Sequence, residues 1–154
     1  MVSARSVVAS VVDPELRVVT IEELGILRDV ASDADGRVIV TITPTYTGCP
    51  AMDVIRADIL TALRAAGHPD AEVVTVFAPA WSTDWISAGG REKLAAAGVA
   101  PPGPARAVPL SLSVRCTLCG SPDTEQLSRF GSTACKALWR CRSCGEPFDA
   151  IKAL

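Results

Sequence analysis

Two short stretches near the end of the chain carry the residues best suited to hold a metal ion. Cys116-Thr117-Leu118-Cys119-Gly120 and Cys141-Arg142-Ser143-Cys144-Gly145 repeat one form. In each, a two-residue gap lets both thiolates face one ion, and the trailing glycine permits the tight turn. The 21 residues between Cys119 and Cys141 suit a β-hairpin that joins the two knuckles. Four thiolates without histidine make a closed tetrahedral set, the donor chemistry of structural zinc. An iron–sulfur cluster on the same thiols, or free or redox-active dithiols, are the alternatives. A tail of under about fifty residues buries too little core to fold without such a staple. Cys135 stands apart from both knuckles and reads as a small buried hydrophobe or as a thiol behind the ligands.

A second candidate is Cys49, in Thr45-Tyr46-Thr47-Gly48-Cys49-Pro50-Ala51-Met52-Asp53. A strand ends there and a helix begins, with Pro50 suited to the first helical position. Cys49 then sits at or beside the N-cap, where the helix dipole and free amides attract negative charge, the setting of a reactive sulfur. A buried structural cysteine explains the same residue. Asp13-Pro14-Glu15 sets two carboxylates on a rigid turn, which a helix-ending turn accounts for equally. His68 follows Gly67 at a helix end, where closing the helix is its expected role. One histidine without a partnered serine or cysteine gives a hydrolytic triad little support, and Gly89-Gly90 lacks the pattern of a phosphate-cradling loop.

The elements that must position these residues are short. Arg37–Thr43 reads as a strand with Val38, Val40 and Ile42 on one face. Met52, Ile55, Ile59, Leu60 and Leu63 recur at helical spacing up to Gly67, and Glu72–Phe77 is a second strand. Short helices are expected over Val7–Val12, ending before Pro14, and over Arg91–Ala97, closed by Gly98. The stretch from Pro101 to Pro109 holds four prolines in nine residues and reads as a linker. We therefore expect a small α+β domain over 1–100, a proline-rich linker over 101–112 and a four-cysteine zinc ribbon over 113–154.

Charge changes at the same place. Up to Ala105, 8 Lys and Arg face 13 Asp and Glu; beyond it, 7 face 4, so the two parts carry −5 and +3. The tail's basic residues, with Phe130, Trp139 and Phe148, raise nucleic acid as a partner, but the acidic first part and a net charge of −2 argue against it. At 154 residues with 49% hydrophobic and 21% charged, the chain has material for a modest core, and no stretch approaches the ~20 apolar residues of a membrane span. Val7–Val12 is too short for a signal segment, so a cytoplasmic location with reduced thiols is expected.

Together these motifs resemble a known family. Asp13-Pro14-Glu15-Leu16, Ile21-Glu22-Glu23-Leu24-Gly25-Ile26 and the Thr45–Pro50 stretch are similar to the iron–sulfur (metal–sulfur) cluster assembly domain. Trp81–Ile86, Gly90–Leu94, Gly98–Pro102, Phe130–Cys141 and Glu146–Asp149 resemble the PaaD-type branch of the bacterial phenylacetyl-CoA epoxidase system, over nearly the whole chain. The resemblance implies an accessory, non-catalytic protein acting in maturation or delivery of an iron–sulfur or di-iron centre, or else a zinc-held scaffold on oxygenase subunits. It places the family's motif cysteine on Cys49, with Asp13 or Glu15 as a labile oxygen ligand. It further implies oxygenase and reductase components as partners, a homodimer or client to complete the ligand set, structural zinc, and transient iron or iron–sulfur cargo. Arg17 stands where many relatives of the wider family have proline, which is expected to loosen the acidic turn.

Overall fold

The computed structural model describes residues 2–103 and 114–152, so residues 104–112 of the expected linker lie outside the described residues. Two compact units emerge, residues 1–81 and 82–154.

In the first unit, helix α1 (Ala4–Ala9) is capped by Ser3, whose hydroxyl accepts from the Ser6 amide at 3.2 Å. It starts earlier than the apolar run from Val7 suggested because the cap, not the valines, sets its beginning. Strands β1 (Leu27–Ser32), β2 (Val38–Ile42) and β3 (Glu72–Thr75) form one sheet in that order. β1 and β2 run antiparallel, while β2 and β3 run parallel and are joined by helix α2 (Ala51–Ala65). Val38, Val40 and Ile42 are buried as their alternation requires, and Ile55, Ile59 and Leu63 form the buried stripe of α2. α2 closes with Gly67 at φ +92, the His68 amide bonding the Leu63 carbonyl and the Gly67 amide that of Arg64. That paired closure is the role expected near His68. β1 carried no strand signal, because its exposed edge position demands no alternating apolar face.

The second unit begins with a short 3-10 turn (Thr83–Trp85) and helix α3 (Ala88–Ala96). α3 starts three residues before Arg91 because the Ser87 hydroxyl accepts from the Gly90 amide at 3.0 Å, overriding the poor helical tendency of Gly89-Gly90. Strands β4 (Val99–Ala100), β5 (Thr124–Ser128), β6 (Lys136–Cys141) and β7 (Pro147–Ile151) then form a sheet in the order β4-β7-β6-β5. β5, β6 and β7 are antiparallel neighbours, and β4 adds in parallel to β7. The expectation placed residues up to 100 with the first domain. Backbone pairing instead gives Val99 and Ala100 to the ribbon sheet, and the segment from Ser82 clusters with the ribbon. A two-residue strand leaves no periodicity to read.

Arg91 ties this segment together. Its guanidinium donates to the carbonyls of Thr83 at 2.7 Å, Pro102 at 2.6 Å and Ile86 at 3.4 Å. A planar fork spreads its five donors over three nitrogens, one for each carbonyl here, whereas a lysine's three donors all leave from one atom. We expect Arg91→Ala to lower the unfolding free energy of the full chain by about 2–4 kcal/mol, with Arg91→Lys recovering less than half. Denaturant titration measures this, and a Lys variant as stable as the parent would refute the account.

Candidate functional site

The two knuckles fold by the same backbone bonds. In the first, the Gly120 amide donates to the Cys116 carbonyl at 2.9 Å, the Leu118 amide points at Cys116 Sγ at 3.4 Å, and the Cys116 amide meets the Ser121 carbonyl. In the second, Gly145 donates to the Cys141 carbonyl at 2.9 Å, the Cys144 amide to Cys141 Sγ at 3.5 Å, and Cys141 to the Glu146 carbonyl. Gly120 at φ +73 and Gly145 at φ +80 make these reversals, conformations that disfavour any residue with a Cβ. Ser121 and Ser143 join the knuckles through their hydroxyls, 2.8 Å apart. That link was not anticipated, although a serine in or beside each knuckle was its one signal.

All four sulfurs lie within 4.8 Å of one another, with Cys116–Cys144 at 3.7 Å and Cys119–Cys141 at 3.5 Å. A tetrahedral ion with metal–sulfur bonds of about 2.3 Å requires edges of about 3.8 Å, so the set fits one ion. A cluster would spread its thiolates over several irons and needs them farther apart. Cys116 and Cys141 are buried and Cys119 and Cys144 exposed. Behind them pack Ala100, Ala137, Trp139, Phe148 and Ala150, so the small core and the sulfur cluster are continuous.

Crowding splits the acidities. The Cys144 amide, with lesser help from Cys119 and Ser143, holds Cys141 down at about 6 against burial, and the Cys119 and Leu118 amides lower Cys116. On Cys144 the Glu146 amide pulls downward, but burial and proton-sharing with the other three sulfurs together push it up to about 12. Cys119 is raised likewise, the Ser121 amide being outweighed by Cys141 and burial. Four thiolates at these distances repel, so without a cation the two outer sulfurs keep their protons.

Cys49 lies elsewhere. α2 begins at Ala51 with Pro50 as its cap, at φ −66 and ψ −23, one position later than expected, and no side chain caps it. Cys49 immediately precedes that cap, half-buried, after Gly48 at φ +81, and its carbonyl accepts from the Met52 amide at 3.2 Å. The acidic turn is bracketed by a bridge between Val12 and Thr20. Asp13 is buried, and its Oδ1 accepts from the amides of Glu15 at 2.9 Å and Leu16 at 2.8 Å. One carboxylate oxygen is thus already engaged in holding the turn, while Glu15 is half-buried. Arg17 does not loosen the turn: at φ +51 its amide donates to the Asp13 carbonyl at 2.9 Å, a bond and an angle proline cannot supply. Among the described residues, the four ribbon thiols alone form a convergent group of three or more metal-ligating side chains; Cys49, Asp13 and Glu15 do not make one. Cys135 is half-buried at the start of β6, its Sγ 3.0 Å from the Thr133 hydroxyl and apart from the sulfur cluster.

Comparison with known proteins divides along the same lines. Residues 4–76 match the model of an iron–sulfur cluster assembly protein, and residues 101–152 that of the PaaD zinc β ribbon domain. A relative from Escherichia coli (strain K12), provisionally named as the D-subunit of 1,2-phenylacetyl-CoA epoxidase, is 43% identical over 97% of this chain and 90% of its own. An Fe-S protein maturation auxiliary factor, YitW of Bacillus subtilis (strain 168), is 41% identical over 50% of this chain and 76% of its own. The crystal structure of a domain of unknown function, DUF59, from Bacillus anthracis superposes with a TM-score of 0.53 at 32% identity, covering 59% of this chain and 87% of that one. The α+β fold with a four-cysteine ribbon read from the sequence is therefore the one observed, and no described helix is long and apolar enough to cross a membrane.

Filling the sulfur cluster requires all four thiolates. Zinc added near neutral pH to the metal-free chain should displace protons, those of Cys119 and Cys144 among them, and binding should weaken as pH falls toward 6 and Cys141 also protonates. Calorimetry in buffers of different ionisation enthalpy reads the proton count. Uptake without proton release would mean that the four sulfurs do not share the ion.

Proposed function

The chain belongs to the PaaD family, that of the 1,2-phenylacetyl-CoA epoxidase D-subunit, and on that premise we propose that it is a non-catalytic accessory component of that oxygenase system in aerobic phenylacetate degradation, serving to mature or deliver an iron–sulfur or di-iron centre. Cys116, Cys119, Cys141 and Cys144 hold one structural zinc ion, which supplies the cross-link that so small a sheet lacks. Cys49 is the working thiol. The observation that carries this reading is the contrast between the two sulfur environments. Four thiols converge into a closed set that leaves no position for exchange. Cys49 stands singly on the loop between β2 and α2, half-accessible at the end of a parallel strand.

One thiolate holds iron or a cluster too weakly to retain it, and its remaining ligands come from a second copy or the client. A carrier needs that incompleteness. Asp13 contributes by fixing the turn that presents Glu15 as the oxygen ligand. The relatives named as Fe-S protein maturation auxiliary factors, which align over half of this chain, support the same role. The oxygenase and reductase components are the partners, in the cytoplasm, where such thiols stay reduced.

Cys49→Ser should leave folding and ribbon zinc unchanged yet lower the iron content and activity of oxygenase made in the same cells by about tenfold or more. Iron analysis of the purified oxygenase measures it. Normal iron loading in that variant would leave only a zinc-held scaffold.

A further inference from the structure

The ribbon sheet has two ends. The sulfur cluster lies at one, and the β5–β6 connection, residues 129–135, at the other, because β6 runs from Lys136 to Cys141, about 17 Å of strand. We infer that this connection is a docking tip for another protein component of the epoxidase, one offering an apolar pocket rimmed by carboxylates; the inference rests on the accessory-component reading above.

Phe130 leaves 78% of its surface exposed, so burial in this chain does not explain it. Its surroundings are nevertheless fixed. The Phe130 amide donates to the Ser128 hydroxyl at 3.0 Å, and the Gly131 amide to the Lys136 carbonyl at 3.0 Å. A Cβ on Gly131 would sit 2.9 Å from both Asp149 Oδ1 and the Lys136 Cβ, so no other residue fits without displacing the tip. Beneath it Lys136, only 7% exposed, donates to the Ser132 hydroxyl at 3.2 Å, and Ser132 donates to Asp149 Oδ2 at 2.8 Å. Burying an ammonium is an expensive way to fold a ribbon, since an apolar residue of similar volume serves stability as well. What the network does provide is a backbone fixed at Phe130 before a partner arrives, which removes part of the ordering cost from association.

Charge selects the partner. Lys152 Nζ lies 5.4 Å from the Phe130 ring centre, and the adjacent Arg129 makes no ion pair with a described residue. Among the described residues, Asp149 at this end is already engaged by Ser132 and Lys136. Lys152 Nζ also donates to the Ala134 carbonyl at 2.9 Å, and an aromatic anchor flanked by two cations that pair with no described carboxylate complements an apolar pocket with an acidic rim. A polyphosphate is disfavoured by the net charge of −2 and by the −5 carried before residue 106.

The test measures binding of the full chain to purified oxygenase and reductase components at low and high salt. Phe130→Ala should weaken binding at least about tenfold, and Arg129→Glu should weaken it while flattening its salt dependence. Both variants should keep the parent's zinc content and unfolding midpoint. Gly131→Ala, which retains the ring but shifts it, should also weaken binding. Unchanged affinity in Phe130→Ala and Arg129→Glu overturns the tip alone. Failure of the parent chain to bind any component overturns the accessory reading and this inference with it. Phe130-dependent binding of a single-stranded RNA oligonucleotide would assign the tip to another class of partner and overturn it too.

Discussion

Mutual repulsion among four sulfurs governs the C-terminal half of this protein. Cys116, Cys119, Cys141 and Cys144 are brought within 4.8 Å of one another by the backbone bonds of the two knuckles. Two sulfurs are lowered by amides that point at them, and two are raised by those neighbours and by burial. A dication converts that conflict into attraction. The small core of Trp139, Phe148 and three alanines packs directly behind the cluster, so the stability of the sheet and the state of the sulfurs cannot be separated.

The first unit follows a different logic. Its sheet and helices bury aliphatic side chains in the ordinary way, with Ile42, Ile55, Ile59 and Leu63 fully enclosed. Its candidate site residues lie on the connections. The loop from β2 into α2 sets Cys49 ahead of the helix, where a parallel strand ends and loops are free to vary. The acidic turn is held by its own amides, with Thr20 and Glu23 bonding each other's backbone in a reciprocal cap just beyond it. Local hydrogen bonds satisfy the backbone of these segments, and Asp13 and Thr43 are buried as well.

Such differences decide what could be read in advance. The knuckles were legible because ligand spacing and the trailing glycine are local requirements of tetrahedral coordination. β2 and α2 were legible because each buries one face and so repeats its apolar residues at the period of its own backbone. β1 escaped notice because an edge strand with one solvated face can be built from Arg28, Asp29 and Ser32. The start of α3 was hidden by two glycines, whose poor tendency Ser87 offsets with one hydrogen bond.

By itself, the amino-acid sequence determined the donor set, the likeness of the two knuckles, the place of Cys49 before a helix and the change of charge along the chain, since each depends on residues near one another in sequence. Tertiary structure alone decided that Val99 and Ala100 join the ribbon sheet, that Arg91 gathers the carbonyls of Thr83, Ile86 and Pro102, and that Lys136 is buried beside Ser132 and Asp149. Each of these is a contact between groups whose separation is set by the fold, and nothing in local periodicity records where a folded chain brings a donor to its acceptor.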